Sequence, residues 1–116
     1  MELVSDKNQR LVLGFGGAGC SMLDALLKDS SFASFYINTA DNLSGRRPEQ
    51  CLSFITDHSL LSQVEDREDE ITALFNGYSE IFILVGLGGG TGSQLSLLFA
   101  DLAQKNGLSV RGFVTL

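Results

Sequence analysis

Short apolar runs alternate along this chain with stretches in which apolar positions recur every three or four residues, the pattern of successive βα units. Residues 10–14 (RLVLG) predict a buried first strand. From Gly19 to about Lys28, the positions Met22, Leu23, Leu26 and Leu27 fall on one helical face. Residues 32–38 (FASFYIN) predict a second strand that ends in the polar stretch NTADN. Gly45 and Pro48 mark a loop, and residues 51–55 predict a short third strand. Residues 64–75 predict one helix, with Val64, Ile71, Leu74 and Phe75 inward and the run Glu65, Asp66, Arg67, Glu68, Asp69, Glu70 solvated. Asn76-Gly77 stops it. Residues 81–85 (IFILV) are apolar on both faces, as a central parallel strand requires. A last helix is predicted over residues 91–105, with Leu95, Leu98, Phe99 and Leu102 inward and Asn106-Gly107 as its stop. Residues 110–116 begin a further strand, and the chain ends in it. That ending predicts either dependence on another chain or one piece of a larger protein.

The 116 residues suffice for one α/β unit, and 44% hydrophobic with 19% charged residues supports a buried core. A formal net charge of −6 argues against a nucleic-acid backbone or an anionic membrane as main partner. A nucleotide is not excluded, because backbone N–H groups at helix starts bind phosphate without basic side chains. Cys20 and Cys51 have no metal-ligand spacing and make no disulfide framework, so both read as reduced thiols in a cytoplasmic protein. Cys20 falls in the first turn of a helix, where thiolate formation is favoured, yet a buried structural cysteine is the preferred reading. Residues 1–10 are polar, unlike a signal peptide, and no apolar run approaches the roughly 20 residues of a membrane span. His58 is the sole histidine, which leaves histidine metal sites and histidine-based triads little to work with.

Two glycine-rich segments carry the candidate chemistry. The first, Gly14-Phe15-Gly16-Gly17-Ala18-Gly19, joins the first strand to the first helix and satisfies G-x-G-x-x-G. The second, Gly86-Leu87-Gly88-Gly89-Gly90-Thr91-Gly92-Ser93, follows the strongest strand and opens another helix. Glycine leaves no Cβ to block a phosphate, and so dense a run, costly in backbone entropy, persists only where backbone must come close to something. A plain strand-to-helix turn explains one such loop more readily than two. The predicted fold is α/β: a Rossmann-like parallel sheet of order 3-2-1-4-5 with helices on both faces. In that order strands 1 and 4 are neighbours at the switch point, and both loops border the crevice where ligands bind.

At these residues the chain resembles the FtsZ/tubulin superfamily. GFGGAG resembles the first FtsZ phosphate loop, NTAD at 38–41 the family's NTD, and GGGTGS at 88–93 its signature GGGTG[ST]G. The stretch EDREDEITALFNGYSEIFILVGLGGGTGS resembles the family's helix, strand and signature loop in register. The resemblance spans residues 10–116 and is thin over 42–63. It implies a nucleotide-binding domain, residues 1–116, that stops before the family's central helix and second domain. It further implies GTP or GDP as ligand, with Mg2+ as an admissible companion, and an FtsZ-like subunit or a second copy as partner. The residues expected at the nucleotide are Gly16, Gly17, Ala18, Gly19, Cys20 and Ser21 of the first loop and Gly88, Gly89, Gly90, Thr91, Gly92 and Ser93 of the second. Asn38 and Asp41 are expected near the sugar or a magnesium-bound water. No catalytic residue is assigned, because in the family the second domain supplies the acids.

The departures from the family pattern are specific. Gln94 stands where the signature has its last glycine and is expected to crowd the phosphates. Ser21 replaces a usual asparagine, and the counterpart of the family's third loop, residues 56–62 (TDHSLLS), contains no glycine. Three readings follow: the GTP-binding part of an FtsZ-like cytoskeletal or cell-division protein, a non-catalytic relative that docks on FtsZ and modulates it, and a Rossmann module for NAD or a flavin. Asp41 suits the ribose-binding acid of the third reading, which leaves residues 86–92 unexplained.

Overall fold

A computed structural model describes residues 10–29, 32–86 and 90–115, with residue 41 and residues 113–115 described by backbone alone. Five strands form one parallel sheet: β1 (Arg10–Phe15), β2 (Ser34–Thr39), β3 (Cys51–Phe54), β4 (Glu80–Gly86) and β5 (Ser109–Thr115). Their order is β3-β2-β1-β4-β5, as the sequence predicts. Four helices complete the unit: α1 (Gly16–Asp29), α2 (Leu60–Asp66), α3 (Glu68–Leu74) and α4 (Gly90–Lys105). Leu116, the last residue of the predicted fifth strand, lies outside the described residues.

The sheet is buried on both faces, and alternation along β1 divides its side chains between two cores. Leu11, Leu13 and Phe15 join the core under α2, α3 and α4, where Val64, Ile71, Leu95 and Phe99 converge. Phe99 meets Phe15 edge-on at 5.2 Å and Phe54 at 6.0 Å, a favoured aromatic geometry. Val12 faces the opposite side and packs with Cys20, Leu23 and Leu84 under α1. One face thus carries three helices and the other carries α1.

Three predicted features change. The first helix begins at Gly16, not Gly19, because Gly16 adopts φ +70° and turns the chain straight from strand into helix. Within it Leu26 is exposed, because Gly19, Cys20 and Leu23 form the buried stripe. The helix predicted over 64–75 is two helices broken at Arg67, whose backbone leaves helical geometry at φ −111°, ψ 22°. Arg67 is half-buried rather than fully solvated: its guanidinium donates to Ser53 O at 2.6 Å, bonds Glu70 and lies over the Phe54 ring. The acids Glu68, Asp69 and Glu70 then occupy the first turn of α3, where the helix dipole favours negative charge. Among the described residues no helix is long and apolar enough to cross a membrane.

Candidate functional site

β1 and β4 are neighbours, with Phe15 opposite Val85, so α1 and α4 start side by side at the carboxyl edge of the sheet. The first four N–H groups of a helix have no partner within it. Two such sets, each at the positive end of a helix dipole, border one space.

Six glycines of the two loops fall into two kinds. A Cβ on Gly14 would stand 2.7 Å from Gly19 O, and one on Gly19 would collide with the Leu84 carbonyl oxygen. A Cβ on Gly92 would stand 3.0 Å from the Gly16 Cα. Those four glycines let α1, β4 and the start of α4 touch backbone to backbone. Gly17 and Gly90 differ, since no described residue lies within 4 Å of where their Cβ would be. Internal packing does not require glycine there, and what both border is open space.

That space is a cavity of about 570 Å3, within the roughly 300–1,000 Å3 of small-molecule sites. Gly16, Gly17 and Ala18 line it from the first loop, and Gly90, Thr91 and Gly92 from the second. Asn38 lines it from β2 and is 3% exposed. Its Oδ1 accepts from the Thr39 N–H at 2.8 Å, which orients the amide, and its Nδ2 is buried without a hydrogen-bond partner among the described residues. A buried unpaired donor costs about 1–3 kcal/mol, so a ligand acceptor in the cavity would remove a standing penalty.

Other expected site residues fall elsewhere. Gly19 and Cys20 are buried beneath the cavity, and Ser21 is exposed on α1. The Ser93 hydroxyl donates to Gly86 O at 3.5 Å. Asp41 lies in a 3-10 turn over Ala40–Leu43, with its side chain outside the description, and Gly88 and Gly89 lie outside the described residues altogether. Gln94 is exposed and does not line the cavity, so the crowding expected of it has no counterpart. Sequence reasoning missed Thr39, Asn42 and Thr56 in the lining, together with Phe15, Val85 and Gly86. The signal for the polar three was position: Thr39 ends β2, and Asn42 and Thr56 come shortly after the carboxyl ends of β2 and β3, on the crevice side.

Burial pushes the Cys20 thiol up to about 11, and its Sγ sits 3.5 Å from Gly14 O. It is therefore a packing thiol, not a reactive one. No described lining side chain carries a charge. An organised set of charges forms a brace behind the Ala40–Leu43 turn. Arg46 donates to Asp24 Oδ2 at 2.7 Å and to Asn42 O at 3.0 Å, and it stacks 4.7 Å over Tyr36. The Tyr36 hydroxyl donates to Asp24 Oδ1 at 2.6 Å. Burial, then the bond to Asp24, pushes Tyr36 up to about 12, while the Arg46 hydrogen bond holds Asp24 below its ordinary value. The brace fixes Asn42, so this arginine holds the wall.

No protein-family model matches the chain. It is 29% identical over 122 residues to a protein named cell division protein FtsZ 1 of Archaeoglobus fulgidus, covering 90% of this chain and 32% of that one. Among solved structures it resembles TubZ of Clostridium botulinum phage c-st, C-terminal tail truncated, with TM-score 0.77 and 16% identity over 93% of this chain and 41% of that one. A TubZ protofilament from bacteriophage PhiKZ gives TM-score 0.73 and 15% identity, covering 91% and 37%. An FtsZ variant from M. jannaschii gives 0.71 and 22%, covering 97% and 38%. The chain spans about a third of the length of the curated relative it matches.

Proposed function

The chain has an FtsZ/tubulin-like fold, and on that premise we propose that it is the guanine-nucleotide-binding part of an FtsZ-like cytoskeletal protein. One observation carries this reading: Gly17 and Gly90 present backbone with open space before it, at two adjacent helix starts. Phosphate oxygens would accept from the free N–H groups at the starts of α1 and α4, and Thr91 would add a hydroxyl. Asn38 Nδ2 would gain the acceptor it lacks. Among the described residues no group of three or more His, Cys, Asp or Glu could hold a metal, so Mg2+ would enter with the phosphates.

Guanine rather than another base, and a cytoplasmic setting, belong to the proposal and are supported by the family-like motifs. Hydrolysis by this chain alone is not part of the reading. Asp101 is exposed on α4 and paired with Lys105 at 3.1 Å, and no described acid lines the cavity. Turnover would need acids donated from a second domain and a neighbouring subunit. β5 forms one edge of the sheet, a suitable place for a second copy or an FtsZ-like subunit to pack.

Calorimetric titration of the purified chain with GDP, ADP and NAD tests the reading. GDP is expected to bind and NAD to give no heat. Binding of NAD with GDP silent would replace it with a dinucleotide-binding module.

A further inference from the structure

The segment between β3 and α2, residues 55–59, poses a problem that its composition does not solve. It carries no glycine, and all five residues are exposed, so no buried apolar side chain anchors it. Yet it contributes Thr56 to the cavity wall.

A single side chain from α2 supplies the missing anchor. Gln63 Oε1 accepts from the Ile55 N–H at 2.9 Å, and Gln63 Nε2 donates back to Ile55 O at 2.6 Å. The side-chain amide thus takes both backbone groups of Ile55, as one more rung beside the edge strand β3 would. The same Nε2 stands 3.4 Å from His58 O and 3.4 Å from Ser59 O, so one amide ties the segment's two ends together. α2 is a firm post for this tie. Leu60 and Val64 are buried in the core, and Ser59 caps the helix by accepting from the Ser62 N–H at 3.1 Å. Gln63 itself does not line the cavity.

We infer that Gln63 is the positioning residue of the cavity's third wall, holding residues 55–59 in their ligand-receiving shape before a nucleotide arrives. The inference rests on the nucleotide reading above for its ligand, but not for the brace. A wall ordered during folding adds no ordering cost at binding, whereas a loop freed from its tie must be ordered by the ligand. The glycine-free third segment is thereby a built wall: Gln63 supplies by side chain the backbone partners that the segment lacks.

The test uses the full chain, with hydrogen exchange followed residue by residue and GDP as the probe. In the wild type, exchange at residues 55–58 changes by less than about twofold on GDP binding, as expected of a wall already closed. In Gln63→Ala, exchange there rises about tenfold without nucleotide and falls again with GDP, while β4 and α4 keep their protection. GDP affinity drops about tenfold. Gln63→Glu is nearly isosteric but loses the donor and sets a carboxylate against the Ile55 carbonyl, so it should match Gln63→Ala. A role in packing alone would be rescued by Glu. Unchanged exchange at 55–58 in Gln63→Ala, or wild-type behaviour of Gln63→Glu, overturns the inference. Failure of the wild type to bind GDP would sink the nucleotide reading, and the ligand-free exchange data would still decide the brace.

Discussion

The floor and the rim of the cavity are built from the same residue for opposite reasons. On the floor, Gly14, Gly16, Gly19 and Gly92 are glycine because other backbone already fills the place of a side chain. At the rim, Gly17 and Gly90 are glycine although no described residue occupies that place. The floor is explained by the fold, whereas the rim is where the proposed nucleotide would approach the backbone. A glycine-rich motif therefore mixes two signals, and separating them requires knowing what each absent Cβ would touch.

Substitutions separate the two classes most sharply at the floor. Gly19→Ala drives a methyl group into the Leu84 carbonyl, backbone against backbone, so it should cost about 3 kcal/mol or more and show as a large fall in Tm. A Gly19→Ala chain as stable as wild type would break the distinction. Gly90→Val should do the reverse. Its side chain enters open cavity, so melting should move little while GDP affinity falls about a hundredfold, near 2.7 kcal/mol. Unchanged affinity in the folded variant would place the ligand elsewhere.

The brace behind the Ala40–Leu43 turn predicts a smaller, pH-dependent effect. Asp24 has a folded value depressed chiefly by its hydrogen bond to Arg46. Its contribution is therefore fully present above the unfolded carboxylate value of about 3.9 and is lost as pH falls through the lower folded one. Its side chain is 44% exposed, so solvent screening keeps the gain modest. Thermal melts should find that Asp24→Asn narrows its stability deficit below pH 4 and leaves it constant between pH 5 and 7. A deficit that grows on acidification would contradict the pairing. The smallest effect is expected at Gln94, which is exposed and off the cavity. Gln94→Gly should leave GDP affinity unchanged and cost up to about 1 kcal/mol of stability through helix propensity, read from denaturant unfolding.

Much of this architecture was legible before the structure. The apolar runs set all five strands, and the two loops located the crevice, because parallel strands buried on both faces leave strong patterns and their carboxyl ends define the ligand side. What stayed hidden depended on tertiary contact. The break at Arg67 was invisible because a run of six charged residues suits one solvated helix as well as two, until Arg67 finds Ser53 O and Phe54. Leu26 fits a helical stripe by spacing, yet the close approach at Gly19 rotates that stripe toward Cys20 and Leu23. Asn38 was legible as a polar break at a strand end, but its unpaired Nδ2 was not. Thr56 opens the glycine-free counterpart of the third loop, but nothing there marked it as lining, since its place depends on a side-chain amide seven residues further on.

Amide NMR of the isotope-labelled chain titrated with GDP tests the central claim most directly. The backbone amides of Gly17, Ala18, Gly90 and Thr91 and the side-chain amide of Asn38 should shift together and saturate with one affinity. Saturable shifts confined to another surface, such as the groove lined by Leu43, Arg46 and Cys51, with those five signals unmoved, would contradict the account.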